Sequence, residues 1–559
     1  MALKSLSYHE PGIVTILIQA SFLLLLNVVN FILDNSLYCG LLGQVFLGVA
    51  WGTPGSKWLG PEVEEVIVQL GYLGLLLLVY EGGLATSLKA LKANLLLSLG
   101  VASTGIALPM GLSFILRYLT DATPLQCFAA GAALCSTSLG TTFTVLGTSG
   151  LTKSRLGVVL TSAAMMDDVV GLVMVQIISN LGGADTSISA VTVVRPLLVS
   201  LAFAVFAPLV CVFIAKPITK WLNAKREKRP SGYLDQALGR CRTVFFIHTL
   251  ILLGCIAASS YAGTSNLFAA YTAGTSISWW DSEVPHPVTD TAVVPTPVQQ
   301  TAARDEVQGL APGDEDTTAT LTPAQVASPS SPGVEIYEKY YLEPVNRVLR
   351  PLFFASIGFS IPITEMFSGP VVWRGLVYTL LMTFGKVVCG AWLLRFSVTS
   401  YFSMKLQSGV ARIPKPGMGH FWGKSEKPPS NAEASTASSK TSPTTKTQGK
   451  KSAHTEPAGT KPRSIYPASI LGCAMTARGE IGFLISSIAE SKRVFSSSDT
   501  ESNASSEIFL IVTWAIVLCT ILGPLAVGLL VRRVKKLEQR VEKKGHTVRS
   551  NVLGVWGVA

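Results

Sequence analysis

Charge is what this chain has least of. Asp, Glu, Lys and Arg supply 14% of its 559 residues, where about a quarter is usual in a soluble protein. A soluble globular enzyme is therefore not expected. Nine cysteines (Cys39, Cys127, Cys135, Cys211, Cys241, Cys255, Cys389, Cys473 and Cys519) lie scattered, without a C-x-x-C and without clustering with the six histidines. That pattern argues against a disulfide framework and against a zinc site. No catalytic triad, phosphate loop or G-x-G-x-x-G following a strand is found, so no catalytic residue, no cofactor and no enzymatic activity are expected. The 45 Lys and Arg exceed the 34 Asp and Glu, giving a net charge of +11. These basic residues fall in loops between apolar runs, which points to membrane orientation rather than to nucleic acid.

Apolar residues are abundant, at 49% of the chain, and the mean hydropathy is +0.44. The run GIVTILIQASFLLLLNVVNFIL, Gly12 to Leu33, can cross a hydrocarbon core of about 30 Å at about 1.5 Å per residue. It exceeds the apolar core of a signal peptide and no A-x-A site follows it, so it reads as a retained helix. Thirteen spans are expected: 13–33, 37–51, 66–83, 95–117, 125–147, 157–180, 196–215, 243–262, 264–279, 349–366, 372–397, 466–489 and 507–531. The fold class is thus an all-α polytopic membrane protein.

The expected organisation places nine spans and the paired acids in 1–280, an acidic, Pro-rich unstructured loop in 281–348, and two spans in 349–399. A basic unstructured loop follows in 400–464, then two spans in 465–532 and a basic tail in 533–559. An odd number of spans puts the termini on opposite sides. The tail VRRVKKLEQRVEKK is then cytoplasmic by the positive-inside rule, and Lys89, Lys92, Lys153, Arg155 and the basic cluster from Lys216 to Arg242 fall on the same side. The 281–348 loop is acid-rich where basic residues are expected, but long loops carry little orientation signal. One sequon, at Asn503, falls in a loop expected outside.

Six charges lie within apolar spans: Glu81, Asp167, Asp168, Lys386, Arg478 and Glu480. Each costs about 2.5–3.5 kcal/mol at a helix centre even on the lenient insertion scale, which makes each a candidate for function. In MMDDVVGL, Asp167 and Asp168 repel one another and are desolvated, so a proton or a cation must neutralise at least one. A helix–helix hydrogen-bonding pair is the alternative. Lys386, mid-span in TFGKVV, is the natural counter-ion of one of the two, with snorkelling as its alternative. CSTSLGTTFT, Cys135 to Thr144, holds six hydroxyls and Gly140. Backbone unwound there can coordinate a cation, or the stretch can be a tight small-residue interface. Arg478 and Glu480 are two residues apart and both must avoid lipid, so their span is either enclosed by protein or broken near Gly479. A structural Arg–Glu network is the favoured reading of the two, with direct ion contact the minority one. Glu81 reads as interfacial, His248 as a packing residue, and Gly40, Gly43 and Gly48 as points of close helix contact.

The motifs LLGQVFLGVAWG, LGLLLLVYEGGL, TSLGTTFTVL, MMDDVVGL, FFASIGFSI, the GK of TFGKVV and ARGEIGFLI appear in the order found in the monovalent cation:proton antiporter superfamily, in its paired-aspartate branch. The chain resembles that family over nearly its whole membrane region. The resemblance implies inverted repeats, a dimerisation domain, and a mobile core with two crossing discontinuous helices. It implies Asp168 as the principal cation and proton ligand, Asp167 as the partner of Lys386, and Thr142, Thr137 and Ser138 as contributors from the first broken helix, with Arg478 and Glu480 in the second. Implied too are exchange of Na+, Li+ or K+ for H+, electrogenic because the pair is Asp-Asp, and a homodimer in the bilayer. A cation-selective channel and a non-transporting sensor are the competing readings.

Overall fold

A computed structural model describes residues 10–37, 39–86, 88–138, 151, 154–181, 190–228, 238, 240–283, 332–394, 465–496, 505–542, 553, 556 and 557. Among them, every long element is a helix: α1 (Ile13–Leu37), α2 (Gly40–Trp51), α3 (Pro61–Leu84), α4 (Leu95–Leu112), α5 (Pro124–Cys135) and α6 (Arg155–Leu181). They continue with α7 (Ala190–Val210), α8 (Cys241–Ala262), α9 (Asn266–Glu283), α10 (Pro332–Tyr340), α11 (Arg350–Phe359), α12 (Gly369–Val387), α13 (Tyr466–Ala474), α14 (Glu480–Ser491) and α15 (Glu507–Glu542). Among the described residues, eight helical segments are long and apolar enough to cross a membrane, so this is a multi-pass integral membrane protein. The acid-rich stretch 284–331, residues 395–464 and the sequon Asn503 lie outside the described residues, as does Thr142.

Local chemistry accounts for the helix ends. Thr123 and Gln126 form a capping box, each bonding the other's backbone N–H, and Pro124 follows at the first helical position of α5. α3 starts earlier than expected because Pro61 and the acidic Glu62 and Glu64 suit a helix N-terminus. In α7, Pro208 removes a backbone donor, and a π turn at Cys211–Ala215 carries the helix on into Lys216–Glu227.

Contacts divide the chain into two compact units, one of residues 1–71, 87–194 and 351–559 and the other of 72–86 with 195–350. In the first, α2 and α11 meet backbone to backbone. A Cβ on Gly48 would overlap the Ala355 carbonyl, and one on Gly358 the Val45 carbonyl, so only glycine permits this approach. Gly40 and Gly43 likewise lie against Asn30 and Val29 of α1. A large apolar cluster joins Val101 of α4, Val159 and Leu160 of α6, Leu471 of α13 and Val531 of α15. Leu553 and Trp556 are buried in the same cluster, with the Arg155 guanidinium 5.0 Å above the Trp556 ring. The stretch expected to be only a basic tail is therefore helical to Glu542, with Val534 turned into this cluster.

In the second unit, α3 and α9 cross at Gly83 and Gly274, which abut the carbonyls of Tyr271 and Tyr80. Glu81 is half-buried, and the Tyr337 hydroxyl donates to its Oε2 at 3.2 Å. Burial, together with the neighbouring Glu81 carboxylate, pushes the Tyr337 phenol above its ordinary pKa. The expectation of an unstructured loop as far as 348 is corrected at its C-terminal end, where 332–349 is helical. Ile336 and Tyr337 of EIYEKYYL turn inward together and give that short segment a buried face. His248 is buried and packs edge-on against the Trp280 ring, as expected of a core histidine.

Trp556→Ala should destabilise the protein by about 3 kcal/mol, as expected for emptying a buried aromatic site. A lower melting temperature of the purified protein in detergent checks this. An unchanged melt would mean that the C-terminal residues do not hold α6 to α15.

Candidate functional site

α5 and α13 both end where an interruption was expected, and the two ends lie against one another in the first unit. α5 stops at Cys135, and Ser136 is extended at φ −74 and ψ 158. The hydroxyl-rich residues at this point offer their own hydrogen bonds in place of the helical ladder. α13 stops at Ala474, and α14 begins at Glu480 behind an extended Gly479. The span 466–489 is therefore broken, the second of the two possibilities open from sequence. The two interruptions are tied together where the backbone N–H of Ser138 donates to the Ala477 carbonyl at 3.0 Å.

Breaking a helix in a low-dielectric interior leaves carbonyls that need donors. Two buried cations provide them. Lys386 Nζ donates to the Cys135 carbonyl at 2.6 Å, to Thr137 Oγ1 at 3.0 Å and to Asp167 Oδ2 at 2.7 Å. Arg478 Nη1 donates to the Ser136 carbonyl at 2.8 Å. The positive charges thus sit at the C-terminal end of α5, where the helix dipole favours them. Lys386, Asp167 and Arg478 are each 0% exposed, so Lys386 does not snorkel, and Lys386–Asp167 is a fully buried ion pair. A Cβ on Gly105 of α4 would come within 3.3 Å of both Lys386 Nζ and Asp167 Oδ2, so α4 closes one side of the pair.

Asp168 differs from its neighbour. It is 7% exposed and makes no hydrogen bond among the described residues, while the three protons of Lys386 are already committed elsewhere. The charges acting on it are Glu480, Asp167 and Lys386. The Thr137 hydroxyl has one proton for two acceptors, Asp167 Oδ2 at 3.0 Å and the Met475 carbonyl at 3.3 Å. Ser138 Oγ lies 3.4 Å from Glu480 Oε2.

Arg478 and Glu480 form no ion pair with each other among the described residues, and each instead bonds to the first interruption. The extended Gly479, at φ −159 and ψ −141, sends the two side chains apart, one to the α5 carbonyl and the other towards Ser138. Arg478 Nε and Nη2 and Asp167 Oδ1 are buried without a hydrogen-bond partner among the described residues. Sequence reasoning expected unwound backbone in the Cys135–Thr144 stretch, but not that Lys386 and Arg478 would take the carbonyls of Cys135 and Ser136. It missed Thr520 as well, whose hydroxyl donates to the Arg478 carbonyl at 2.9 Å. No group of three or more His, Cys, Asp or Glu able to hold a metal ion occurs among the described residues.

With this geometry in hand, similarities to known proteins can be weighed. Residues 38–295 match the family described as sodium/hydrogen exchanger, transmembrane. A probable Na+/H+ antiporter of Bacillus cereus, GerT, is 24% identical over 378 residues, which cover 65% of this chain and 79% of GerT. The Na+/H+-K+ antiporter GerN of the same species is 29% identical over 145 residues, 26% of this chain and 37% of GerN. The high-affinity Na+/H+ antiporter NhaS3 of Synechocystis sp. is 32% identical over 136 residues, 23% of this chain and 30% of NhaS3. In three dimensions the chain resembles the sodium proton antiporter MjNhaP1 of Methanocaldococcus jannaschii, with a TM-score of 0.53 and 11% identity over 93% of this chain and 98% of that one. At that identity the likeness shows the fold alone.

Lys386→Met should destabilise the protein by about 3–5 kcal/mol, because it strands the buried Asp167 charge and the Cys135 carbonyl. The double substitution Lys386→Met with Asp167→Asn should recover part of that loss. Thermal melts of the three proteins in one detergent check this, and equal melts for the single and double variants would contradict it.

Proposed function

The chain belongs to the monovalent cation:proton antiporter superfamily, and on that premise we propose that it exchanges a monovalent cation for protons across a membrane by alternating access. One observation carries the reading. Of two adjacent buried acids, Asp167 is neutralised by Lys386, whereas Asp168 has no cation of its own at hydrogen-bond distance among the described residues. A bare carboxylate resists transfer through a low-dielectric barrier, while a protonated or cation-loaded one passes. A carboxylate that takes either a proton or a cation, but not both, couples opposing flows with no energy source beyond the gradients.

Asp168 is the principal ligand in this reading, with Thr137 and Ser138 at the first break beside it and Thr142 from the same hydroxyl-rich stretch. The relatives' names support Na+ and K+ as candidate cations. Exchange is electrogenic in this proposal, because Lys386 and Asp167 form a second group that can release its partner and carry a proton when the site is loaded. The cellular role that follows is ion and pH homeostasis, by a homodimer with the basic end of α15 in the cytoplasm.

The purified protein in vesicles containing a pH-sensitive dye should dissipate an imposed proton gradient when Na+ or K+ is added, and the Asp168→Asn variant should not. Repeating the assay under an imposed membrane potential should change the rate if net charge moves. Conductance without proton coupling would indicate a channel. A folded Asp168→Asn protein that still exchanges cation for protons would overturn the proposal.

A further inference from the structure

Glu480 is the first residue of α14, and its carboxylate lies at the crossing of the two breaks, 3.4 Å from the Ser138 hydroxyl. Asp168 reaches the same place from α6. Asp168 and Gly171 are three residues apart and share one face of that helix. A Cβ on Gly171 would stand 3.0 Å from both Ser136 and Ile481, the latter being the residue after Glu480. The α6 face bearing Asp168 is thus pressed against the first turn of α14. Neither buried base serves this face at hydrogen-bond distance: Lys386 has spent its protons on Cys135, Thr137 and Asp167, and Arg478 bonds the Ser136 carbonyl.

We propose that Glu480 is the second carboxylate ligand of the transported cation, which it shares with Asp168 while the Ser138 hydroxyl orients it. The inference rests on the antiport reading above and adds a residue to its site. Charge balance supports it. Among the described residues, Lys386 and Arg478 are the bases bonded at the two breaks, so the ionised forms of Asp167, Asp168 and Glu480 exceed them by one negative charge, which a single monovalent cation or proton cancels. A purely structural Glu480 would favour the N-terminus of α14 through the helix dipole, and its loss would change stability but not cation affinity.

The test measures exchange in vesicles across a Na+ series and a K+ series for the wild type, Glu480→Gln, Glu480→Asp, Ser138→Ala and Asp168→Asn. Glu480→Gln should raise the cation KM about tenfold, the loss expected on deleting one charged ligand, while the maximal rate falls less. Glu480→Asp should restore part of the affinity, and Ser138→Ala should raise KM in the same direction by a smaller factor. A wild-type KM in Glu480→Gln, alongside an inactive Asp168→Asn, overturns the role of Glu480 and leaves the antiport reading standing. Should Glu480→Gln fail to fold, unchanged KM in both Glu480→Asp and Ser138→Ala overturns it equally. A wild type that exchanges nothing defeats the antiport reading and the role of Glu480 with it.

Discussion

Interrupted helices in an apolar interior must find donors for their freed carbonyls, and here Lys386 and Arg478 supply them at the end of α5. A buried ammonium or guanidinium is itself costly, and it is tolerated because it satisfies a backbone acceptor and meets acidic charge at once. Lys386 does both, with Cys135 and Asp167 bonded to one nitrogen. The rest of the site follows from that constraint. The position of Lys386 holds Asp167, and the break places Thr137 and Ser138 against Met475 and Ala477 of the second interruption.

Two identical residues, adjacent in the chain, thereby become chemically distinct. Successive positions on an α-helix point about 100° apart, so α6 cannot aim Asp167 and Asp168 at the same partner. One meets an amine that is fully committed, and the other lies on the face of α6 that packs against the first turn of α14. In the antiport proposed above, a carboxylate without a committed base is the group for which proton and cation would compete. The two acids thus differ in commitment, Asp167 being held in a buried ion pair and Asp168 making no hydrogen bond among the described residues.

Glycine contributes in a different way. Without a strong hydrophobic drive between helices in lipid, close backbone approach supplies the packing, and Gly48 with Gly358 and Gly83 with Gly274 allow it within each unit. Large apolar side chains such as Leu17, Phe206 and Leu250 are left exposed, as a chain that lives among lipid tails requires.

Much of this was legible before any coordinates. Long apolar runs set the helices, because a bilayer demands about twenty such residues per crossing, and the rare charges inside them marked the site, because lipid makes such residues costly. The hydroxyl-rich stretch after Cys135 and the Gly479 neighbourhood announced the two breaks through their local hydrogen-bonding chemistry. The pairing of Lys386 with Asp167 was already implied by the family resemblance, whereas the tertiary structure alone decided that Arg478 turns to a carbonyl rather than to Glu480 and that Glu480 faces Ser138. It also decided that Trp556 returns to pack on α6. Composition and spacing report which groups cannot face lipid. Which partner each group finds depends on the angles at which distant segments cross, and these arise only when the helices pack.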